Sequence, residues 1–294
     1  MKKIIYSPGE PAGIGPDLII KLSASNIWEN FKIPIVTIGD PNLFLDRAKK
    51  LKKKIKVIEL NSVNEVKKNK KAYLQIIKVS KCKNTSPGKL TKLNANYVLD
   101  VLDYAIKQTI SDKCAALVTG PLNKETIISI DKKFTGHTEY IQKITRSKDV
   151  LMMLASNKLK VALATTHIPL KMVSKNITKK LIVNKVQILN KDLKNKFNIK
   201  KPNIKVLGLN PHAGENGKIG NEELQYIKPA IKILRKSKIN VSMPISADTA
   251  FSEKILKETD AYLGMYHDQV LPVLKALSFG TVSYTHLRAH ETPA

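Results

Sequence analysis

The chain of 294 residues carries 51 basic and 24 acidic side chains, which gives a formal net charge of +27. No apolar stretch approaches the ~20 residues of a membrane-spanning helix, and no signal-peptide core follows the amino terminus, so we expect neither membrane insertion nor secretion. Only Cys82 and Cys114 are present, which excludes a disulfide framework and favours a reducing cytoplasm.

The positive charge by itself would suggest a nucleic-acid partner. Arginine, the residue that reads base edges and grips phosphates with paired hydrogen bonds, contributes little of this charge. It occurs only as Arg47, Arg146, Arg235 and Arg288. The lysines are instead spread along segments such as 49–57 and 179–197. We therefore expect no specific nucleic-acid partner, and a positive field that attracts an anionic metabolite.

In the first half of the chain, short apolar runs alternate with helical patterns. They predict strands at 2–6, 33–40, 55–60, 73–79 and 114–120, and helices at 17–28, 41–50 and 90–110. The loop SPGEPAGIGPD (7–17) after the first strand lacks the third glycine of a dinucleotide fingerprint. Two interpretations of this loop stay open: a structural turn, or backbone N–H groups that line a ligand cleft.

The motif FTGHTEYI (134–141) places His137 and Thr138 ahead of a predicted helix. An imidazole, a hydroxyl and free backbone N–H groups at a helix start can anchor a phosphate or a carboxylate. An ordinary threonine cap beside a polar neighbour explains the same motif equally well.

In the second half, three predicted strands each end on a histidine. His167 follows the strand 161–166, His212 follows the run that begins at Ile204, and His267 follows the strand 261–266. Ligands of open α/β sheets bind beyond the carboxyl ends of the strands, and neutral imidazoles are common ligands of divalent metals. We therefore predict that the three histidines converge on a metal, although each could instead be a hydrogen-bonded loop residue.

A fourth polar residue, Asp248, follows a strand predicted at 241–246. It is a candidate for proton relay beside the metal, or a cap for the helix predicted at 250–257. The remaining elements are strands at 150–155 and helices at 171–196 and 222–236. Because strands and helices alternate throughout, we predict an α/β fold in two lobes with a mostly parallel sheet covered on both sides.

Seven motifs in order resemble those of the 4-hydroxythreonine-4-phosphate dehydrogenase family, over residues 1 to about 280. They are SPGEPAGIGPD, VTGPLNK, FTGHTEYI, ATTHIPL, GLNPHAGE, ISADTAF and MYHDQVLPVLK. The resemblance implies a homodimer of two α/β/α lobes with the fold of isocitrate and isopropylmalate dehydrogenases. The implied first lobe comprises 1–132 with about 270–281, and the second comprises 133–269 with the metal and dimer contacts.

The resemblance also implies a reaction and its site. NAD or NADP would be bound without the usual glycine loop. A divalent ion (zinc, magnesium or cobalt) would be held by His167, His212 and His267 and shared between subunits. His137, Thr138 and Lys275 would bind the substrate phosphate, with Lys275 and Asp248 as candidate catalytic groups. The implied reaction oxidises and decarboxylates 4-phosphohydroxy-L-threonine to 3-amino-2-oxopropyl phosphate in pyridoxal 5′-phosphate biosynthesis.

Three alternatives stay open. The same chemistry can act on 4-phosphoerythronate or phosphothreonate, an acyl-phosphate transferase of related fold would need no histidine site, and a polyanion-binding protein would exploit the charge alone. The segment 282–294 does not resemble the family, which would supply further phosphate ligands there. We expect this segment to be a non-native tail on a shortened reading frame, and to lower stability or activity.

Overall fold

The computed structural model describes residues 2–111, 113–147 and 149–278, and the backbone of 283–288. The chain divides into two compact units, Met1–Arg146 and Ser147–Ala294, and each contains one five-stranded sheet. Within the described residues, no helix has the length and apolar character of a membrane span.

The sheet of the first unit is wholly parallel, with the strand order β3-β4-β2-β1-β5. Its strands are β1 (Ile4–Ser7), β2 (Ile35–Ile38), β3 (Lys56–Leu60), β4 (Tyr73–Ile77) and β5 (Ala116–Thr119). The helices are α1 (Gly15–Ser23), α2 (Pro41–Lys50), α3 (Ala95–Ile110), α4 (Lys124–Ile128) and α5 (His137–Thr145). All four residues of β2 are buried, as expected of a central strand that is covered on both faces.

Local chemistry fixes the helix ends of this unit. The helix α2 begins where the sequence predicts it, because the Asp40 side chain accepts the backbone N–H of Asn42 and Pro41 occupies the first helical position. The helix α3 starts at Ala95, later than the predicted residue 90, because Thr91 caps a short 3₁₀ turn, Lys92–Asn94, ahead of it.

The sheet of the second unit is mixed, with the order β10-β6-β7-β9-β8. Its strands are β6 (Val150–Ala155), β7 (Lys160–Leu163), β8 (Ile204–Val206), β9 (Ala261–Gly264) and β10 (Ser283–Arg288). The strands β7, β9 and β8 are parallel, whereas β6 is antiparallel to both of its neighbours. The helices are α6 (Leu170–Asn176), α7 (Lys179–Asn195), α8 (Lys228–Lys236), α9 (Glu253–Lys257) and α10 (His267–Leu277).

Two predicted elements of this unit are wrong in detail. The region 241–246 forms only isolated parallel bridges, at Val241 and Ile245. Pro244 lies between them and has no N–H to donate, so the ladder is interrupted. The predicted helix 171–196 is two helices, because the Thr178 side chain accepts the N–H of Leu181 and caps a new start for α7.

The division into compact units differs from the lobes that the sequence suggests. The segment 133–146 belongs to the first unit and the part of α10 from residue 270 belongs to the second, whereas the predicted lobes assign these two segments the other way. The lobe boundaries stay a prediction. Part of the segment 282–294 forms β10, whose backbone pairs antiparallel with β6 from Ser283 opposite Ala155 to Arg288 opposite Val150. Residues 279–282 and 289–294 lie outside the described part of the chain.

Candidate active site

Two of the predicted metal ligands lie side by side in the second unit. His167 follows β7 and His267 begins α10 after β9, and these two strands are parallel neighbours. The pairing continues past the strands, because the N–H of Thr165 donates to the carbonyl oxygen of Met265 at 3.1 Å. The imidazole rings of His167 and His267 are 5.7 Å apart between centroids and inclined by 46°. Neighbouring strands thus deliver two potential metal ligands to the same edge of the sheet.

His267 has a carboxylate partner that fixes which ring nitrogen is free. Its Nδ1 lies 2.6 Å from Oδ1 of Asp268. An ionised carboxylate can only accept, so in the neutral imidazole this contact places the ring proton on Nδ1 and leaves a lone pair on Nε2. A carboxylate behind an imidazole is the usual outer partner of a metal-binding histidine. The His267 side chain is 34% exposed, so a ligand can reach it.

Gln269 links the ends of two strands, a role that the sequence analysis did not predict. Its Oε1 accepts the N–H of Met265 at 2.7 Å, and its Nε2 donates to the carbonyl oxygen of Gly208 at 2.6 Å. The side chain therefore ties the loop that carries His267 to the loop that leads to His212. The only sequence signal was its position directly after the His267-Asp268 pair.

The loop that carries His212, Pro211–Gly217, has an unusual backbone. Five consecutive residues, from His212 to Asn216, have φ between 43° and 77°. The left-handed conformation costs about 1–2 kcal/mol for each residue with a side chain, and only Gly214 escapes this cost. At Gly214 a Cβ would also lie 2.6 Å from Oε2 of Glu223, so the loop needs a glycine there.

His212 pairs with Asp248. Nδ1 of His212 lies 3.8 Å from Oδ2 of Asp248, and both side chains are more than half exposed. A hydrogen bond from the Ser246 side chain is the main reason that the pKa of Asp248 lies below its usual range. Burial opposes this shift, and the charge of His212 adds a smaller lowering. Asp248 is therefore an ionised acceptor at neutral pH.

The described residues contain no group of three or more His, Cys, Asp or Glu side chains that are close enough to hold a metal ion. The structure brings His167 and His267 together and places His212 beside Asp248. The metal site of three histidines stays a prediction.

The predicted phosphate ligands lie in different elements. His137 and Thr138 occupy the first turn of α5 in the first unit, where N–H groups and the helix dipole favour an anion. Lys124, which the sequence analysis did not select, lies at the same place: a Cβ added to Gly136 would be 3.6 Å from its Nζ. Lys275 is exposed in the last turn of α10, roughly 12 Å along the helix from His267.

The loop SPGEPAGIGPD packs as a structural turn. Gly13 and Ala12 donate their N–H groups to the carbonyl and the carboxylate of Glu10, at 2.9 and 3.1 Å. A Cβ at Gly15 would lie 1.8 Å from the carbonyl oxygen of Pro8, so only glycine fits. Because these N–H groups are already bonded within the loop, the geometry favours the first of the two interpretations.

Two compact α/β units, one with an all-parallel sheet and one with histidines at the carboxyl ends of parallel strands, define an α/β enzyme with the fold of isocitrate and isopropylmalate dehydrogenases. The chain belongs to the family of the pyridoxal phosphate biosynthetic protein PdxA, whose sequence model matches residues 30–286. The match extends into the segment 282–294.

Individual relatives agree with this assignment. The chain is 45% identical to a 4-hydroxythreonine-4-phosphate dehydrogenase of Pseudoalteromonas translucida, over 95% of this chain and 83% of that protein. It is 44% identical to the enzyme of that name from Vibrio parahaemolyticus, with the same coverage. A crystal structure of a 4-hydroxythreonine-4-phosphate dehydrogenase from Burkholderia phymatum superimposes with a TM-score of 0.88 and 28% identity, covering 98% of this chain and 87% of that one.

Proposed function

We propose that this chain is an NAD- or NADP-linked dehydrogenase that oxidises and decarboxylates 4-phosphohydroxy-L-threonine to 3-amino-2-oxopropyl phosphate. The proposal follows from membership of the PdxA family together with relatives of that name at 45% identity. The structural observation that carries it is the ring pair of His167 and His267 at the carboxyl ends of two adjacent parallel strands.

The donor set suits a divalent ion. Two imidazoles lie at ring-contact distance, and the Asp268 carboxylate leaves Nε2 of His267 as a ligand atom. When bound, such an ion acidifies a coordinated hydroxyl and stabilises negative charge on an adjacent oxygen, while the nicotinamide accepts the hydride. His212 would complete the set, from the same chain or from a second copy.

We further propose a homodimer that shares this site. Apolar side chains near the histidine loops are exposed: Leu170 is 71% exposed and Leu224 is 41% exposed. Met172 on α6 and Ile219 after the His212 loop are 37% and 38% exposed. A second subunit packed over these side chains would remove them from water and bring its own histidines near.

The other residues have separable tasks. His137 and Thr138 at the start of α5, with Lys124 of α4 beside them, would bind the substrate phosphate through the helix dipole and the lysine charge. The role of Lys275 as a phosphate ligand stays a prediction from the family resemblance. Asp248 is held ionised and would accept a proton through His212. A site built in this way fits an anionic metabolite, in line with the positive field of the chain.

The test is NADH formation by the purified chain with 4-phosphohydroxy-L-threonine, 4-phosphoerythronate and phosphothreonate, before and after treatment with a chelator. We expect turnover of the first substrate, loss of turnover with the chelator and recovery on addition of Zn²⁺, Mg²⁺ or Co²⁺. Faster turnover of 4-phosphoerythronate or phosphothreonate would identify that compound as the substrate instead. Turnover that survives the chelator, or acyl transfer without NADH formation, would contradict it.

A further inference from the structure

A buried carboxylate lies beneath the His212 loop. Glu223 is 1% exposed, although it stands in the π-helical turn Glu223–Ile227 ahead of α8. Its Oε1 accepts the N–H groups of Leu209 at 2.7 Å and Asn210 at 2.8 Å, and its Oε2 accepts Nδ2 of Asn210 at 2.9 Å. Burying a carboxylate is unfavourable unless donors surround it, and three N–H donors directed at one side chain offset that cost.

The Glu223 carboxylate accepts the backbone hydrogen bonds of the residues that directly follow the end of the sheet. The N–H groups of Leu207 and Gly208 still pair with neighbouring backbone carbonyls. Glu223 accepts the next two N–H groups, and Pro211 has none to donate. The last backbone donors before His212 are therefore held by a single side chain. Glu223 thus fixes the backbone that leads to His212 by accepting its N–H groups, as a neighbouring strand would do in a sheet.

Glu223 also contacts the far side of the loop. The left-handed run from His212 to Asn216 wraps around it so closely that a Cβ at Gly214 would lie 2.6 Å from its Oε2. A left-handed run with four side chains persists only where the surrounding structure determines it. Without the three hydrogen bonds of Glu223, right-handed conformations are open to this loop, and in them His212 points elsewhere.

We infer that Glu223 positions His212 and thereby sets the metal affinity of the site, an inference that rests on the metal-binding role proposed above for His212. Glu223 acts through the loop and is not itself a ligand. Its neighbour Glu222 contacts the same Asn210 amide, at 2.8 Å, but accepts no bond from the backbone that leads to His212. Positioning of His212 is thus assigned to Glu223 alone of this acidic pair.

The experiment is Co²⁺ titration of chelator-treated protein, followed by visible absorption, for the parent chain, Glu223→Gln, His212→Ala and the double variant. Glu223→Gln keeps the size of the side chain and removes one acceptor. We expect its Kd for Co²⁺ to rise about 10- to 100-fold, the range typical of lost outer partners of metal ligands. In the His212→Ala background the same substitution should change the Kd no further, because the residue through which it acts is gone.

The matched control is Asp192→Asn, which changes another buried carboxylate of the second unit, paired with Lys196 at 2.8 Å on α7. Asp192→Asn should lower the unfolding temperature and leave the Kd for Co²⁺ unchanged.

If Glu223→Gln does not fold, Gly214→Ala takes its place and should raise the Kd in the same way. A folded Glu223→Gln or Gly214→Ala protein with the parent Kd, or a further loss in the double variant, overturns the inference while His212 keeps its role. A His212→Ala protein with the parent Kd overturns the metal-binding proposal and this inference together.

Discussion

Thr165 donates twice to Met265: its backbone N–H at 3.1 Å and its hydroxyl at 2.7 Å both reach the carbonyl oxygen of that residue. This double contact joins the loop after β7 to the loop after β9, within two residues of His167 and His267. Because Thr165 is buried, water does not compete for the carbonyl. The spacing of the histidine pair is therefore tied to one buried threonine.

We predict that Thr165→Val, which keeps the shape and removes the hydroxyl, lowers the free energy of unfolding by about 1 kcal/mol. The carbonyl of Met265 keeps its backbone bond, so the loss should not be larger. The Kd for Co²⁺ should rise roughly three- to tenfold as the pair loosens. Urea unfolding and metal titration measure the two effects.

Thr109→Val is the matched control for this prediction. The Thr109 hydroxyl donates to the carbonyl of Ala105 at 2.9 Å within α3, in the other unit. Thr109→Val should lower the free energy of unfolding by a similar or smaller amount than Thr165→Val, and it should leave metal binding unchanged. Equal Co²⁺ affinities of parent and Thr165→Val would contradict the proposed link between this threonine and the histidine pair.

A second prediction concerns the carboxylate behind His267. Asp268→Asn keeps the size of the side chain and removes the charge that holds the Nδ1 proton. We expect about a tenfold rise in the Kd for Co²⁺, with little change in unfolding temperature because Asp268 is 82% exposed. Asp46→Asn, an exposed aspartate of α2, should leave the Kd at the parent value. An unchanged affinity of Asp268→Asn would contradict the proposal that the Asp268 charge supports His267 as a metal ligand.

The histidine pair was predictable from the sequence because it depends on a simple rule. The carboxyl ends of parallel strands meet at one edge of the sheet, so His167 and His267 had to lie close once their strands were neighbours. No comparable rule marks Glu223 or Gln269. Each is an ordinary polar residue in a helical segment, and only the folded chain brings its side chain to backbone donors or acceptors 14 or 61 residues away.

Backbone conformation was the other feature that could not be predicted from the sequence. The glycines around His212 indicated a loop, but Ala213 and Glu215 rarely adopt the left-handed conformation that they have here. The sequence also predicted a strand through Pro244, whose missing N–H allows only isolated bridges on either side. At Ala213 and Glu215 tertiary contacts override the preference of the residue type, whereas at Pro244 the chemistry of proline itself overrides the apolar strand pattern.

A third prediction concerns stability in acid. Hydrogen bonds from the side chain of Ser174, and after it Asn210, hold the pKa of Glu222 below its ordinary 4.5. A carboxyl whose pKa is lower in the folded state contributes stability above its unfolded pKa and loses that contribution as the pH falls through the folded one. We therefore expect the stability advantage of the parent over Glu222→Gln to shrink between about pH 6 and about pH 3 in urea unfolding.

The Ser174→Ala background tests the cause of this effect. Without the first hydrogen bond the pKa of Glu222 should lie nearer its ordinary value. In that background, the stability difference between the chain that keeps Glu222 and its Glu222→Gln variant should depend less on pH. An advantage that is constant from neutral to acid pH would show that Glu222 does not stabilise the loop through its charge.

The last prediction concerns the buried ion pair of the first unit. The Arg47 side chain is 5% exposed and donates to the Asp17 carboxylate and to the carbonyl oxygen of Gly13, so it joins α2 to the loop SPGEPAGIGPD. Arg47→Met leaves Asp17, which is 22% exposed, without its partner, and we expect a loss of about 3–5 kcal/mol of unfolding free energy. Arg235→Met, at an exposed arginine of α8 that donates to the carbonyl of Val241, should cost only about 1 kcal/mol of unfolding free energy.

Asp17→Asn should restore part of the loss in the Arg47→Met chain, because the uncompensated charge is then removed. Equal stability of the two arginine variants in urea unfolding would mean that the pair does not hold the loop.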